Sequence, residues 1–272
     1  MLFYYYKNKL KHDSRESYSL FNLVPLSVFL LNYQVIRSFL KNLFDPLCFN
    51  ASQHRLRKLE KSLKTPATRL AIPFIFKGEG HYRRIAPIQS HDEIAQLYRE
   101  VVGLKPKVVL EIGTCHGGSL YLWCQAAGPN ATLISLDLPG GKFGGGYHEK
   151  RTKLYQCFAL PGQKLHLLRG DSHQEDSLQK VLKIINSQKV DFLFIDGDHR
   201  YEGVKRDYEQ YSPLVRPGGI IAFHDILPSP PELGMEVWRF WEELKKTEKS
   251  ACEFVNTSSN DRSIGIGIVR PS

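Results

Sequence analysis

Acidic and imidazole side chains are concentrated in two short stretches, FIDGDH and FHDI, each at the end of an apolar run. The first contains Asp196, Asp198 and His199, and the second contains His224 and Asp225. Carboxylates and imidazoles bind divalent cations, and an imidazole with its ordinary pKa of about 6.5 can also act as a general base. If the two runs are neighbouring parallel strands, both stretches lie at one edge of the sheet. We therefore expect a divalent cation on Asp196, His224 and Asp225, and catalytic roles for His199, Asp196 and His224. Positive charge supplied by the two histidines, without a metal, is the alternative.

A glycine-rich turn follows another apolar run in VVLEIGTCHGGS, residues 108–119. Glycines let a backbone approach a ligand, and the N-terminus of a following helix offers free N–H groups. Glu111 is a charge inside the apolar run, which is costly unless a ligand ammonium or several N–H groups meet it. We predict that Glu111, Gly113, Thr114, Gly117 and Ser119 bind a cofactor; a plain strand-to-helix turn is the alternative.

Polar residues also end the next two predicted strands. Asp137 lies 26 residues after Glu111, about where an acid accepts hydrogen bonds from both hydroxyls of a ribose. Asp171 and Ser172 follow the third predicted strand and are expected to bind an adenine edge. Because Asp and Ser are also preferred helix caps, a capping role for this pair is open as well.

These motifs resemble those of a known enzyme class. The spacing E-x-G-x-x-x-G-G-S resembles motif I of the class I S-adenosylmethionine-dependent methyltransferases, in which the glycine loop cradles the methionine part of the cofactor. The run FIDGDHRYEGVKRDYEQYSPLVRPGGIIAFHDI resembles small-molecule methyltransferases that include cephalosporin hydroxylase-like proteins, and more distantly catechol O-methyltransferase. The resemblance covers about residues 85–270.

The match in the second run is partial. In the catechol enzyme's pattern a metal-binding Asp stands at the position of Asp196, and a catalytic Lys stands where this chain has His199. Its Asp-Asn metal pair, which is Glu-Asp in the cephalosporin hydroxylase-like pattern, corresponds to His224-Asp225 here. The substitutions keep groups that can bind a divalent metal.

The resemblance implies S-adenosylmethionine as cofactor, with Mg²⁺ or another divalent cation as a second one. It also implies O-methylation of a small hydroxylated acceptor, a sugar or natural product. Two other classes compete with this hypothesis. A nicotinamide-dependent oxidoreductase is disfavoured because the G-x-G-x-x-G of dinucleotide binders is missing. The other is a non-catalytic module associated with membrane or nucleic acid, although no RNA-binding motif is evident.

Apolar runs and helical patterns alternate along the chain, which indicates an α/β fold with a doubly wound, mostly parallel sheet. Two strands at the C-terminus are predicted to form an antiparallel hairpin, so that the sheet has seven strands, as in the methyltransferase fold. The predicted strands cover residues 108–112, 132–138, 164–168, 191–195, 219–223, 252–256 and 264–269. The predicted helices cover residues 90–103, 149–160, 174–186, 201–214 and 232–248.

Charge divides the chain into two parts. Residues 1–88 contain 15 Lys or Arg and 5 Asp or Glu, a net charge of +10, whereas residues 89–272 contain 22 and 23, a net charge of −1. We predict a basic N-terminal extension over 1–88, helical or partly disordered, and a methyltransferase domain over 89–272. From Ser27 the extension has the apolar spacing of an amphipathic helix, which could dock on the domain, pair with a second chain or lie on a membrane. A chain that starts near Thr68 is expected to fold.

The remaining features concern compartment and partners. Five cysteines without a C-x-x-C pair favour a reducing compartment, so a cytoplasmic protein is expected. The expected partner is a small-molecule acceptor and not a nucleic acid, while a homo-oligomer and peripheral membrane contact are open. Five glycines between Pro139 and Tyr147 predict either a lid over the site or a surface loop.

Overall fold

The computed structural model describes residues 43–140, 146–256 and 264–272. Three sequence predictions lie wholly or mostly outside these residues: the amphipathic helix after Ser27, the glycine-rich loop and the polar turn of the C-terminal hairpin. The described chain forms a compact unit that spans Asp45–Ser272. Among its helices, none combines the length and the apolar character that crossing a bilayer requires.

Seven strands of the described chain form one sheet with the order β3-β2-β1-β4-β5-β7-β6. The first five strands pair in parallel, and β7 runs antiparallel to both β5 and β6. The predicted doubly wound sheet with a C-terminal hairpin is thus confirmed. The strands are β1 Val108–Ile112, β2 Thr132–Asp137, β3 Lys164–Arg169, β4 Val190–Ile195, β5 Val215–His224, β6 Cys252–Phe254 and β7 Ile266–Val269.

Helices cover both faces of the sheet. The helices are α1 Asp45–Ser62, α2 Pro66–Arg69, α3 Ile72–Ile75, α4 His91–Leu104, α5 Gly118–Ala126, α6 Thr152–Gln156, α7 Glu175–Ile185, α8 Tyr201–Tyr211 and α9 Val237–Thr247. Two differ most from the predicted bounds, since the segment 149–160 holds only a 3-10 turn and α6, and α9 begins five residues late. In the second case Pro231–Leu233 forms a separate 3-10 turn, which is capped by Gly234 with φ 62°.

Alternate residues of each strand enter two separate hydrophobic cores. Val109 and Phe192 pack against α4, α5 and the segments before them, whereas Val108 and Leu110 pack against α7, α8 and α9. Because successive side chains of a strand point to opposite faces, the strand β1 contributes to both cores and is buried along its whole length. Burial on both faces of the sheet holds the ends of β1, β2, β4 and β5 in place. The polar side chains project from these ends.

The N-terminal boundary differs from the prediction at residue 89. The fully buried side chains of Leu56, Ile72 and Tyr82 belong to the same core as α5, and the Tyr82 hydroxyl donates to the buried Asp45 carboxylate at 3.2 Å. The compact unit therefore begins at Asp45. The basic charge of residues 51–64 lies largely on the exposed face of α1 and its C-terminal end, so the change in charge at residue 89 does not mark a change of packing unit.

Candidate active site

A cavity of about 580 Å³ lies at the edge of the sheet where the parallel strands end, within the range of about 300–1,000 Å³ usual for ligand pockets. One part of its wall follows β1, β2 and β3 and includes Gly113, Cys115, Asp137, Leu138, Gly170, Asp171, Ser172 and His173. The other part follows β4 and β5 and includes Asp196, Asp198, His199, Arg200, His224 and Asp225. Ile88, Leu233, Met235 and Ile264 also line it.

The glycines of the motif are required by close packing within the protein. Gly113 and Gly117 adopt φ 88° and 81°, a region that side chains rarely allow. A Cβ on Gly113 would lie 1.9 Å from the backbone oxygen of Asp196, and one on Gly117 would lie 2.7 Å from the Tyr155 ring. Gly113 therefore lets the end of β1 lie directly against the end of β4. Of the two glycines, only Gly113 lines the cavity.

Glu111 points away from the cavity. It shares the face of Val109 on β1, so its side chain meets α5, where Trp123 Nε1 donates to its Oε1 at 2.9 Å. Burial raises the Glu111 pKa to about 8, although hydroxyls of Ser119 and Thr114 partly oppose the rise. The expected ammonium or backbone N–H partners are thus replaced by side chains of the same domain.

The predicted cofactor residues therefore fall into two groups. Gly113 lines the cavity together with Asp137, Asp171 and Ser172. The others, Glu111, Thr114, Gly117 and Ser119, lie outside its wall and support the turn; the Thr114 hydroxyl, for example, is hydrogen-bonded to Ser135.

Asp137 lies at the end of β2 with only 4% of its surface exposed. Its Oδ2 accepts a hydrogen bond from Cys115 N and its Oδ1 accepts one from Gly146 N, both at 3.2 Å. Burial raises the Asp137 pKa against these bonds. A carboxylate offers about four acceptor sites, so the group can still accept from a ligand hydroxyl while it ties the β1 loop to the loop after β2.

Asp171 closes a tight turn before α7. Its Oδ1 accepts from His173 N at 2.9 Å and its Oδ2 accepts from Gln174 Nε2 at 3.2 Å, while the helix begins at Glu175. The Ser172 carbonyl accepts from Gln210 and Tyr211 of α8. The pair therefore shapes the strand end and does not cap the helix.

His173 is a cavity residue that the sequence analysis did not select. Its Nε2 lies 3.3 Å from the carboxylate of Asp207, which is fully buried in α8. The hydrogen bond to Asp207 raises the His173 pKa, with burial opposing it. The one available signal was its position directly after Asp171 and Ser172.

Two carboxylates and two imidazoles meet where β4 and β5 end. His199 Nδ1 lies 2.5 Å from Asp225 Oδ2, and His224 Nδ1 lies 3.0 Å from Asp196 Oδ1 and 3.4 Å from Asp225 Oδ2. Because the carboxylates only accept, each Nδ1 carries the hydrogen. Donor atoms of Asp196, His199 and Asp225 lie within 4.8 Å of one another, as a metal site requires.

This set of possible metal ligands differs from the predicted one. His199 takes the place of His224, whose side chain is buried between the carboxylates of Asp196 and Asp225. Asp198 is also separate, because its carboxylate is paired with the Arg200 guanidinium. Those bonds lower the Asp198 pKa although burial opposes them.

The pKa shifts in the cluster favour the charged forms. Burial alone would lower the pKa of His224, but the charges of Asp196 and Asp225 raise it to about 10. The His199 pKa is also raised, against burial, by its bond to Asp225. Burial opposes ionisation of Asp225, but the charge of His224 and the bond from His199 hold its pKa well below the usual range. Both rises favour the protonated imidazolium, the form that cannot accept a proton.

Two further features hold the cluster in place. Gln89 Nε2 donates to Asp196 Oδ2 at 2.7 Å, and Gln89 itself is 5% exposed. Asp225 has φ 62°, a left-handed conformation that costs energy outside glycine and is common at functional sites. Nothing in the sequence around Gln89, which precedes the predicted helix start, indicated this contact.

The sheet order, the glycine turn after β1 and a cavity at the carboxyl ends of the strands define the class I methyltransferase fold. Residues 110–226 match the family described as "Methyltransferase domain", in agreement with this fold.

Solved structures share the fold at low sequence identity. The O-methyltransferase TomG from Streptomyces achromogenes, in complex with SAM, superposes with a TM-score of 0.51 at 15% identity, covering 82% of this chain and 98% of that one. Cofactor-bound Rv0187 from MTB gives 0.50 at 16% identity, covering 79% and 91%.

Two relatives in sequence are themselves uncharacterized. Protein y4gI of Sinorhizobium fredii (strain NBRC 101917 / NGR234) is 32% identical over 148 residues, which are 53% of this chain and 16% of that protein. Protein R132 of Acanthamoeba polyphaga mimivirus is 34% identical over 116 residues, 43% of this chain and 50% of that protein. The matched part of this chain thus spans half or less of the length of these relatives.

Proposed function

We propose that the protein transfers a methyl group from S-adenosylmethionine to a hydroxyl group of a small acceptor. One observation carries the proposal: a single wall continues from the glycine turn and Asp137 to the cluster of Asp196, His199 and Asp225. A cofactor bound along the first part would present its methyl group toward the second. Holding donor and acceptor in one geometry is a large part of what catalysis of a displacement requires.

The cofactor part of the wall offers matched polar groups. The buried Asp137 carboxylate would accept from the ribose hydroxyls, and Asp171, Ser172 and His173, which line the wall after β3, would meet the adenine edge. The contacts of Asp137 to Cys115 N and Gly146 N keep its carboxylate oriented, so little side-chain entropy remains to be lost on binding.

The cluster fits a divalent cation. Oxygen and imidazole donors of Asp196, His199 and Asp225 are close enough to share one ion, and Asp225 Oδ1 is a buried acceptor without a hydrogen-bond partner among the described residues. A bound cation would supply Lewis-acid activation of the acceptor hydroxyl.

The protein's own residues have separate tasks in this arrangement. Gln89 orients the Asp196 carboxylate through its hydrogen bond, and His224 balances the charge between Asp196 and Asp225. His199 binds a metal only in its neutral form, so it must release the extra proton that its raised pKa favours. Without a metal, the Nε2 of the neutral imidazole would instead accept the proton of the acceptor hydroxyl.

Cofactor binding is tested by calorimetry with S-adenosylhomocysteine. Replacing Asp137 by Asn removes a charged acceptor and should weaken binding about 10- to 100-fold, the value of one or two charge-assisted hydrogen bonds. The control is Asp176→Asn, which changes an exposed acid paired with Lys180 on α7. Equal affinities for the two variants would refute the placement of the ribose at Asp137.

Cation binding is tested with Mn²⁺ alone, titrated calorimetrically in two buffers of different ionisation enthalpy. We expect binding with release of a proton, and its loss in Asp225→Asn. The matched control, Asp198→Asn, changes a cavity carboxylate that is paired with Arg200 and should bind Mn²⁺ like the wild type. Absence of Mn²⁺ binding would leave the histidines as the positive charges of the site and remove the cation from the proposal.

A further inference from the structure

The turn after β1 contains a residue in an unfavourable backbone conformation. Cys115 lines the cavity and has φ 44°, in the left-handed region that residues with a side chain rarely adopt. Such a conformation persists only where the surrounding structure stabilises it. The stabilising contacts come from Tyr155 in α6 and from Arg151, which directly precedes this helix.

The Tyr155 side chain is fully buried and connects a guanidinium to the turn. Arg151 Nε lies 2.8 Å from the Tyr155 hydroxyl oxygen, which lies 2.9 Å from the Cys115 carbonyl. Because a guanidinium can only donate and a carbonyl can only accept, the one hydrogen of the hydroxyl is directed to Cys115. The Tyr155 ring also packs against the turn, since a Cβ on Gly117 would lie 2.7 Å from it.

The Arg151 guanidinium holds the next carbonyl of the turn. Its Nη2 donates to the His116 carbonyl at 3.0 Å and also to the Arg84 carbonyl, while its Nη1 donates to the His81 carbonyl at 3.1 Å. A planar guanidinium makes these bonds together, whereas a lysine has a single nitrogen on a flexible stem. Arg151 thus joins the turn to the segment before α4.

The N–H of Cys115 donates to the carboxylate that is proposed to bind the ribose. It lies 3.2 Å from Asp137 Oδ2, while the Cys115 carbonyl is held by Tyr155. The left-handed conformation is the one in which both contacts are made. Without the Tyr155 hydroxyl, Cys115 could relax to a right-handed or extended conformation, and Asp137 would lose a donor that orients it.

We propose that Tyr155 and Arg151 are positioning residues for the cofactor, because they hold Cys115 in the conformation that orients the Asp137 carboxylate. The inference rests on the proposed binding of S-adenosylmethionine and adds to it two residues that lie outside the cavity wall. They act on affinity through the fraction of molecules whose turn is already in the binding conformation. A role in stability alone would leave the affinity of the folded protein unchanged.

The test measures affinity for S-adenosylhomocysteine by calorimetry in a double-mutant cycle of Tyr155→Phe and Cys115→Gly. Tyr155→Phe keeps the ring but removes the hydrogen bond to Cys115, and should weaken binding about 10-fold, the upper value for one hydrogen bond. Glycine adopts the left-handed conformation without strain. In a Cys115→Gly background, Tyr155→Phe should therefore weaken binding by less than about 3-fold.

Two further variants test the specificity of this effect. Arg151→Lys keeps the charge but loses the fork of donors, and should weaken binding about as much as Tyr155→Phe. Tyr82→Phe is the matched control, because it removes another buried tyrosine hydroxyl of the same core, one that donates to Asp45. It should leave the affinity unchanged. Thermal melting of each variant shows that the measured affinity refers to folded protein.

The outcomes separate the two proposals. Failure of the wild type to bind S-adenosylhomocysteine would refute the methyltransferase function and this inference with it. Binding by the wild type, combined with an equal effect of Tyr155→Phe in both backgrounds, would overturn only the positioning role. Equal losses of affinity in Tyr82→Phe and Tyr155→Phe would overturn it as well. If Tyr155→Phe does not fold, the same cycle with Arg151→Lys decides between these outcomes.

Discussion

Replacing Glu111 by Gln should stabilise the protein at alkaline pH and change its stability little at mildly acidic pH. Glu111 is fully buried in β1, and Trp123 Nε1 donates to its Oε1. Gln keeps the shape and an oxygen acceptor, while its amide can donate to the nearby Ser119 and Thr114 hydroxyls. The substitution therefore removes the ionisation of the side chain with little change in packing.

The magnitude follows from the shift in pKa. Burial raises the Glu111 pKa from its usual 4.5 to about 8, so between these values the folded protein holds a proton that the unfolded chain has lost. Unfolding then releases that proton, and the free energy of unfolding falls as pH rises. The contribution of Glu111 is complete below pH 4.5 and is lost as pH rises through about 8. A shift of this size corresponds to roughly 5 kcal/mol at most, and we expect on the order of 2–4 kcal/mol because the site relaxes.

The assay is urea-induced unfolding of both proteins at pH 5.5, 7 and 9. The difference in unfolding free energy, variant minus wild type, should grow in favour of the Glu111→Gln variant across this series. The matched control is Glu93→Gln, since Glu93 is equally buried but accepts from Asn256 N and Gly265 N. Its amide would oppose a backbone N–H, so Glu93→Gln should destabilise. A difference for Glu111→Gln that stays flat or falls with pH would refute the reasoning.

Three other predictions concern the site and the boundary. Gln89→Leu removes the donor to Asp196 and should weaken Mn²⁺ binding about 10- to 100-fold, with S-adenosylhomocysteine affinity unchanged; equal Mn²⁺ affinity would argue against the positioning role. Gly113→Ala forces a Cβ to 1.9 Å from Asp196 O and should abolish both ligand affinities or folding, whereas Gly103→Ala, which meets open space, should do neither. A chain that starts at residue 43 should give the same circular dichroism and melting temperature as the full chain. A chain that starts at residue 68 lacks α1 and should aggregate or melt at a lower temperature. Equal melting temperatures for the two shortened chains would show that the domain boundary lies after α1.

The sheet was predictable from the sequence because its strands are short apolar runs closed by polar residues. Each of the first five predicted strands overlaps an observed one, and the polar residues at their ends line the cavity as the rule for parallel sheets requires. The N-terminal boundary was not predictable from charge. On α1 the basic residues face solvent while Leu56 enters the core, and a net charge averages over both faces of a helix.

The direction of the Glu111 side chain was mispredicted from the motif, although the alternation of side chains along a strand would have predicted it correctly. Its place in the motif suggested a ligand contact, but side chains of β1 alternate between the two cores. Glu111 lies on the face of Val109 and so meets α5, while Ile112 points to the other side. Gly113 is needed because the backbone passes very close to Asp196. Packing within the protein therefore explains this glycine of the motif without a ligand.

Residue types alone could not show whether a metal ion or protonated histidines compensate the negative charge of the cluster. The reason is that the same side chains allow either form of charge compensation. Asp196 and Asp225 carry two negative charges, and protonated His199 and His224 would neutralise them. A divalent cation on Asp196, His199 and Asp225 would displace the proton from His199 and add one net positive charge to the cluster. That added charge favours an ionised acceptor oxygen at the same place. Cation binding, proton release and acceptor activation are thus linked through His199, which makes the proton count of Mn²⁺ binding the measurement that distinguishes the two forms of the site.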